Sequence, residues 1–138
     1  MTHSISSSLV SKMGFDHTIG NHVVRTDTVP PMSDDTGASP KRLLLAGLAG
    51  CTGVDVVMLL DKMRVPYTDI KMDVEADLTE EHPKVYSEIR LNFTFHGKDL
   101  DRGKVERAVN LSQEKYCGVA AMLQKNCPIV VKIDYVEE

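Results

Sequence analysis

The chain has 138 residues, of which 42% are hydrophobic and 26% are charged, and these values are ordinary for one compact domain with its own core. A formal net charge of −4, with no cluster of lysines and arginines, gives no support for nucleic-acid binding. The opening residues lack the charged start and apolar run of a signal peptide, and three cysteines do not indicate a disulfide framework. We therefore expect a single domain over residues 1–138, located in the reducing cytoplasm.

The first part of the chain predicts a small sheet followed by a loop. Short apolar alternations in the first thirty residues indicate two or three strands, broken at Gly14 and at Gly20. The residues from Pro30 to Gly37 are typical of a turn-rich loop. Ser39 is a good N-cap and Pro40 suits the first helical position, so a helix is predicted to begin here.

The segment from Leu43 to Leu60 predicts a long helix without a polar face, ended by Pro66. A helix that is apolar all round is either enclosed by protein or spans a membrane. Asp55 in the middle of the segment favours enclosure by protein, because a carboxylate is costly inside a membrane. Each glycine inside the helix costs about 1 kcal/mol against alanine, which indicates that another backbone or a ligand comes close. These glycines are Gly47, Gly50 and Gly53.

Two later segments alternate apolar and polar residues with period two, which predicts an antiparallel hairpin. The first segment runs from Ile70 to Leu78 and the second from Ile89 to Phe95, with His82 and Pro83 in the turn. Each strand is expected to bury one face and to expose the other to solvent. The acidic residues of the first strand are therefore interpreted as a solvated face.

The last third of the chain predicts two helices and a final strand. Asp99 or Asp101 can cap a helix that runs to about Tyr116, and Cys117 with Gly118 interrupts the helical pattern. The expected buried stripe of this helix contains Val105, Ala108, Val109, Ser112 and Tyr116. A short helix over residues 119–125 and a strand over residues 129–136 follow. The order of elements predicts an α+β domain with helices against one sheet face.

Cys51 and Cys117 are the candidate reactive residues, and the alternative for each is a plain packing role in the core. A cysteine in an apolar helix is often only a small buried hydrophobe, whereas Cys117 lies at a helix break. Asp55 follows Cys51 by one helical turn on the same face. Cys127, beside Pro128, is read as incidental. The five histidines show no ligand spacing with one another or with the cysteines, so we expect no metal site.

Two motifs resemble those of the OsmC/Ohr family, the osmotically inducible protein C and organic hydroperoxide resistance proteins. The first reads Leu-Leu-Leu-Ala-Gly-Leu-Ala-Gly-Cys51-Thr-Gly-Val-Asp-Val-Val-Met, and the second reads Arg-Ala-Val-Asn-Leu-Ser-Gln-Glu-Lys-Tyr-Cys117-Gly-Val-Ala-Ala-Met-Leu. The sequences of both motifs most resemble those of the YhfA-like branch of the family. The resemblance implies an OsmC-like fold, in which antiparallel-rich sheets wrap around long central helices in an intertwined homodimer.

The resemblance also implies an activity, the reduction of organic hydroperoxides at the expense of thiols in stress defence. Cys51 would be the peroxidatic thiolate that becomes a sulfenic acid, and Cys117 the resolving thiol that forms a disulfide with it. An external dithiol would then reduce the disulfide, and no cofactor is implied. Neither a nucleic acid nor a membrane is expected as a partner.

The sequence departs from the family pattern near the start of the long helix. Peroxide-reducing members carry a glutamate there, which positions an arginine near the reactive cysteine, whereas this chain has Lys41 and Arg42. Arg25 is the only arginine before the helix and is the possible activating cation. The alternative is a non-catalytic or redox-sensing OsmC-like protein that binds a small apolar ligand.

Overall fold

The computed structural model describes residues 1–138, which form two compact units, Met1–Ala46 and Gly47–Glu138. The long helix α1, Pro40–Lys62, begins in the first unit and continues into the second. The chain forms three strands, then α1, two further strands, two shorter helices and a final strand. The predicted α+β class is confirmed.

The N-terminal unit contains an antiparallel sheet of three strands. They are β1 (Ser6–Ser11), β2 (Gly14–Ile19) and β3 (His22–Thr26), in the order β1-β2-β3. The strand breaks predicted at Gly14 and Gly20 are confirmed. Gly20 has φ +62°, a left-handed conformation that suits glycine in the tight turn between β2 and β3.

Asp27 fixes the loop between β3 and α1. Its side chain is only 3% exposed and accepts hydrogen bonds from the Thr28 and Thr36 backbone N–H groups, at 2.8 and 2.9 Å, and from Thr36 Oγ1 at 2.7 Å. Hydrogen bonds from Ser33 and Thr36 hold the pKa of Asp27 well below its usual range. A carboxylate with several donors thus orders the loop that leads into α1.

The helix α1 begins at the predicted proline and buries only one of its faces within this chain. With a mean hydropathy of 2.1 over its most apolar window, α1 is long and apolar enough to cross a membrane, a property that core helices of water-soluble proteins share. The buried residues recur every four positions at Leu48, Thr52, Val56 and Leu60. The chain therefore encloses one side of α1, while apolar residues on its other side remain exposed.

The C-terminal unit contains a second sheet, formed by β4 (Asp69–Leu78), β5 (Tyr86–Gly97) and β6 (Ile129–Glu137). The predicted hairpin is confirmed, since β4 and β5 are antiparallel with Val74 opposite Leu91. β6 pairs in parallel with β5, because the helices between them carry the chain back to the other end of the sheet. The acidic residues of β4 lie on its exposed face, as expected.

Helices cover one face of this sheet and close the core. α2 (Arg102–Leu111) is capped by Asp101, whose side chain accepts from the Lys104 backbone N–H at 3.2 Å. Phe93 and Phe95 are fully buried on β5 and stack with ring centroids 5.5 Å apart. Their core also contains apolar residues of α1 and α2, namely Val56, Leu60, Val105, Ala108 and Val109.

The end of α2 differs from the prediction in one respect. A π-helical turn, Ser112–Tyr116, continues α2, and the Cys117 backbone N–H donates to the Ser112 carbonyl at 2.7 Å. The extra residue in this turn rotates the following side chains around the helix. Tyr116, predicted to be buried, is therefore 51% exposed, whereas Gln113 is buried.

Candidate functional site

The fold brings Cys51 and Cys117 together, although they lie far apart in the sequence. Their two sulfur atoms and a carboxylate oxygen of Asp55 all lie within 4.8 Å of one another. Both cysteines are free thiols in the structure. The three side chains form a compact cluster, which we call the dithiol site, and all of them belong to the C-terminal unit.

The helix α1 supplies two members of the dithiol site. Cys51 and Asp55 are four residues apart, so they lie one above the other on the same face of the helix. Ser112, at the start of the π-helical turn, is fully buried and donates through Oγ to Asp55 Oδ2 at 3.0 Å. This hydrogen bond fixes the orientation of the carboxylate beside the thiols.

Cys117 is the third member and is held by two hydrogen-bond donors. It caps α3 (Gly118–Gln124), and its Sγ accepts from the Ala120 backbone N–H at 3.3 Å. Thr52 Oγ1, on α1, donates to the same sulfur at 3.4 Å. Gln113 Nε2 in turn donates to Thr52 Oγ1 at 2.9 Å. A buried chain of hydrogen bonds thus runs from Gln113 through Thr52 to Cys117.

The two cysteines differ in their environment. Burial raises the pKa of the Cys117 thiol, and this effect outweighs the hydrogen bonds from Thr52 and Ala120, which act to lower it. Cys117 is 2% exposed, whereas Cys51 is half-buried. Cys51 is therefore the thiol that an incoming molecule reaches first.

Gln113 carries the only buried side-chain polar atom without a hydrogen-bond partner in the structure, its Oε1. Leaving a buried acceptor unpaired costs about 1–3 kcal/mol. Such an atom is expensive to keep in a core and often marks a functional position. The unpaired Oε1 belongs to Gln113, whose amide nitrogen begins the hydrogen-bond chain to Cys117.

A cavity of about 230 Å³ adjoins the dithiol site through Asp55. Its lining is mainly apolar, with one cationic and one anionic side chain. The lining residues are Asp55, Met58, Leu59, Lys62 and Tyr116. The cavity is large enough for a small organic group and has polar groups that could orient it.

The other residues considered from the sequence lie outside the dithiol site. Arg25, on β3 of the N-terminal unit, donates to both carboxylate oxygens of Asp16 on β2, at 2.6 and 3.0 Å. This ion pair raises the pKa of Arg25 and lowers that of Asp16. Lys41 and Arg42 are exposed. Cys127 is buried and is not part of the cluster.

Sequence reasoning missed Thr52 and Gln113 as supports of the cysteines, and it predicted that Ser112 is buried but not its hydrogen bond to Asp55. Thr52 is the one hydroxyl residue in the apolar segment from Leu43 to Leu60, and that isolation was a usable signal. Gln113 could not be found in this way, because its burial depends on the π-helical turn.

The fold and the site together define a class, an α+β protein with a cysteine pair between its central helix and the start of a short helix. Comparison with known proteins agrees with this fold and places the chain in a known family. A sequence model described as OsmC-like protein matches residues 33–132. The chain belongs to the OsmC-like protein family.

Relatives and solved structures support this assignment. Protein YhfA of Escherichia coli K12 is 41% identical over 93 residues, which are 67% of this chain and 69% of YhfA. The crystal structure of a hypothetical protein from Aquifex aeolicus VF5 matches with a TM-score of 0.90 and 29% identity, covering 100% of this chain and 98% of the other. The organic hydroperoxide resistance protein OhrB of Bacillus subtilis shares the fold, with a TM-score of 0.70, 21% identity and coverage of 97% and 98%.

Proposed function

We propose that this protein is a thiol-dependent peroxidase that reduces organic hydroperoxides in defence against oxidative or osmotic stress. The observation that carries the proposal is the proximity of the Cys51 and Cys117 sulfurs, which lie within 4.8 Å of each other. A disulfide brings the two sulfurs to about 2.05 Å, so they have at most about 2.8 Å left to close. Support for the substrate class comes from OhrB, which is named for organic hydroperoxide resistance and shares the fold.

Cys51 is assigned the first step because it is the more accessible thiol. Its thiolate attacks the terminal oxygen of the hydroperoxide, so that a sulfur–oxygen bond forms and the oxygen–oxygen bond breaks. The alkoxide leaves and takes up a proton to become an alcohol. Cys51 is thereby oxidised to a sulfenic acid, and the hydroperoxide is reduced by two electrons.

Cys117 is assigned the second step because it lies beside Cys51 and is shielded from solvent. Its sulfur attacks the sulfenic sulfur of Cys51, which forms the disulfide and releases the hydroxyl group as water after protonation. An external dithiol then returns both cysteines to thiols by exchange and is itself oxidised to a disulfide. The net products are one alcohol, one water and one oxidised dithiol.

The cavity beside Asp55 is the proposed site for the organic part of the substrate. Met58, Leu59 and the ring of Tyr116 supply apolar contacts. A hydroperoxide seated there would place its oxygens near Cys51, because Asp55 belongs both to the cavity and to the dithiol site. This arrangement favours organic hydroperoxides over hydrogen peroxide, which has no apolar part to bury.

Arg25 remains the proposed activating cation. The family glutamate that positions an arginine is replaced by Lys41 and Arg42, but Arg25 has a carboxylate partner of its own in Asp16. A fixed guanidinium can stabilise a thiolate and a departing alkoxide. The ion pair with Asp16 restricts the rotamers of Arg25, and the role at Cys51 is the one that the family resemblance implies.

We further propose that the protein acts as a cytoplasmic homodimer, without nucleic acid or membrane partners. The exposed face of α1 supports the dimer, because Val54 and Met58 are 61% and 63% exposed there. Gly47 and Gly50 lie on the same face, and apart from the neighbouring residues and the backbone of α1 itself, nothing in the chain lies within 4 Å of the position a Cβ would take at either. Small residues next to exposed apolar ones suit the close approach of a second copy of the helix. Cys51 borders this face.

The proposal is tested by counting free thiols in fully reduced protein after one equivalent of cumene hydroperoxide. The wild type and a Cys127→Ser control should each lose two thiols rapidly. Cys117→Ser should lose one thiol and accumulate a sulfenic acid that a dimedone-type reagent traps. Cys51→Ser should lose no thiol faster than a simple thiol in buffer does, and rapid oxidation of that variant would contradict the assignment.

The cavity also supports a second candidate function, that of a redox-sensing protein that binds a small apolar ligand. Such a protein needs the cavity and the cysteine pair but no rapid turnover. Steady-state turnover with a dithiol reductant separates the two functions. A wild type that loses its thiols no faster than a buffer thiol would exclude the peroxidase and favour the ligand-binding protein.

A further inference from the structure

The dithiol site has the donor set of a metal site as well as that of a redox pair. Cys51, Asp55 and Cys117 each present one ligand atom, and the three atoms lie within 4.8 Å of one another. An ion at the centre of such a triangle lies about 2.8 Å or less from each atom. Zinc–sulfur bonds are about 2.3 Å and zinc–oxygen bonds about 2.0–2.2 Å long, so each ligand atom has to move inward by at most about 0.5–0.8 Å.

The protein also fixes these donors in the way that metal sites require. Ser112 donates to Asp55 Oδ2 and so fixes the orientation of the carboxylate that supplies the oxygen ligand. Thr52 Oγ1 and the Ala120 backbone N–H donate to Cys117 Sγ and hold the sulfur in place. These hydrogen bonds act against the effect of burial, which raises the pKa of this thiol. In known metal sites, hydrogen-bond partners of the ligands fix the orientation of those ligands.

The chemistry of the donors selects the kind of ion. Two thiolates are soft ligands that bind zinc and similar thiophilic ions in preference to magnesium or calcium. The carboxylate completes a three-ligand set of the type that zinc accepts together with a water molecule. The spacing of Cys51 and Asp55 by four residues puts two ligands on one helix face, as in helical zinc motifs.

We propose that the reduced dithiol site binds one thiophilic divalent cation of the Zn²⁺ type per chain, through Cys51, Asp55 and Cys117. The inference rests on these three side chains and does not depend on peroxidase activity. Metal binding and disulfide formation exclude each other, because a disulfide leaves no thiolate to bind the ion. The occupied site would therefore keep both thiols from oxidation until the ion is removed.

The test is a titration of fully reduced, metal-free protein with Zn²⁺ in competition with a chromophoric chelator, and with Co²⁺ as a spectroscopic probe. The wild type and Cys127→Ser should bind one equivalent of Zn²⁺ per chain. Their Co²⁺ forms should show thiolate-to-cobalt charge-transfer absorption. Protein oxidised with diamide, which accepts the two electrons and two protons of the thiols, should not bind.

The ligand variants make the test specific. Replacing an outer hydrogen-bond partner of a metal ligand typically weakens binding about 10–100-fold, so loss of a ligand should cost at least as much. Asp55→Asn, which keeps an oxygen for Ser112, should weaken Zn²⁺ binding about tenfold or more, and Cys51→Ser about 100-fold or more. Wild-type affinity in both variants, or loss of binding in Cys127→Ser, would overturn the proposal.

A second measurement uses the wild type alone, so that no variant has to fold. Bound Zn²⁺ should slow the alkylation of Cys51 and Cys117, as located by peptide mass mapping, and leave the rate at Cys127 unchanged. Equal alkylation rates at Cys51 with and without Zn²⁺ would contradict the proposed ligands.

Discussion

Thr52 Oγ1 donates to Cys117 Sγ at 3.4 Å from the adjacent helix, and Thr52 is fully buried. Thr52 follows Cys51 in the sequence, and its hydroxyl contacts the sulfur of Cys117. It links the central helix to the N-cap of α3 within a core that is otherwise mainly apolar. The reactivity of Cys117 therefore depends on α1 as well as on its own helix.

Thr52→Val should slow the formation of the disulfide without preventing the first oxidation step. A single hydrogen bond contributes about 0.5–1.5 kcal/mol, which corresponds to about a two- to tenfold slower attack by Cys117. Stopped-flow measurement of the second thiol loss, after addition of hydroperoxide, gives this rate. Thr52→Ser keeps the hydroxyl and should behave like the wild type. Disulfide formation at the wild-type rate in Thr52→Val would contradict this role.

Asp27→Asn should destabilise the protein at neutral pH. The carboxylate accepts hydrogen bonds from Thr28 and Thr36, and its lowered pKa means that folding favours the ionised form. The stabilisation by the ionised Asp27 carboxylate is complete at pH values well above 3.8, the ordinary pKa of this carboxyl. It is lost progressively as the pH falls below 3.8 toward the lower pKa of the folded state. The difference in unfolding free energy from the wild type should therefore narrow in acid.

Urea unfolding at neutral pH and near pH 3 measures this change. Asp35→Asn is the matched control, since Asp35 is exposed in the same loop. It should unfold like the wild type at both pH values. A stability difference between the wild type and Asp27→Asn that stays constant with pH would contradict the linkage.

Gly37→Ala should destabilise the N-terminal unit. A Cβ at Gly37 would lie 2.6 Å from the backbone carbonyl oxygen of Arg25, and backbone cannot move aside cheaply. Overpacking of this kind costs about 1–3 kcal/mol. Gly103→Ala is the contrasting change, because its Cβ would make an ordinary contact at 3.4 Å and α2 would gain up to about 1 kcal/mol of helix propensity. Thermal unfolding should shift in opposite directions, and a stable Gly37→Ala would show that the close approach is absent.

Val54→Glu should convert the proposed dimer into a monomer. Val54 lies in the exposed apolar face of α1, where a buried glutamate in each copy would be costly. Analytical ultracentrifugation measures the change in mass. Val130→Glu is the matched control, since Val130 is also exposed but shares the outer face of β6 with Lys132 and Asp134. A monomeric wild type, or a dimeric Val54→Glu, would contradict the interface.

The sequence was sufficient to predict most of the elements, and the reasons are local. Strict alternation over residues 70–78 and 89–95 predicted the hairpin, since only a strand places every second residue on one face. Pro40 begins α1 as predicted, and Asp101, one of the two predicted caps, begins α2. The end of α1 was predicted from Pro66, but the helix ends earlier, at Lys62, with Arg64 in a left-handed conformation. Cys51 and Cys117 were predicted as the reactive pair from their places in the helical pattern, resemblance to a family implied their roles, and the structure brings them together.

The remaining features depend on contacts between distant residues. The parallel pairing of β6 with β5 follows from the path of the intervening helices, which no local pattern records. The π-helical turn exposes Tyr116 and buries Gln113, although the 3.6-residue period predicts the reverse for Tyr116. The sequence puts Asp55 one helical turn from Cys51, but only the fold brings Cys117 close to both residues. The spacing of the histidines, on which the expectation of no metal site rests, does not include Asp55.

The central claim is that Cys51 and Cys117 form one functional pair, and peptide mapping tests it most directly. Reduced protein is treated with one equivalent of cumene hydroperoxide, alkylated and digested without reductant. The account predicts a mass for the Cys51 peptide joined to the Cys117 peptide, which a dithiol abolishes, with Cys127 recovered as the alkylated thiol. A disulfide that includes Cys127, or recovery of Cys51 and Cys117 as alkylated thiols, would contradict it.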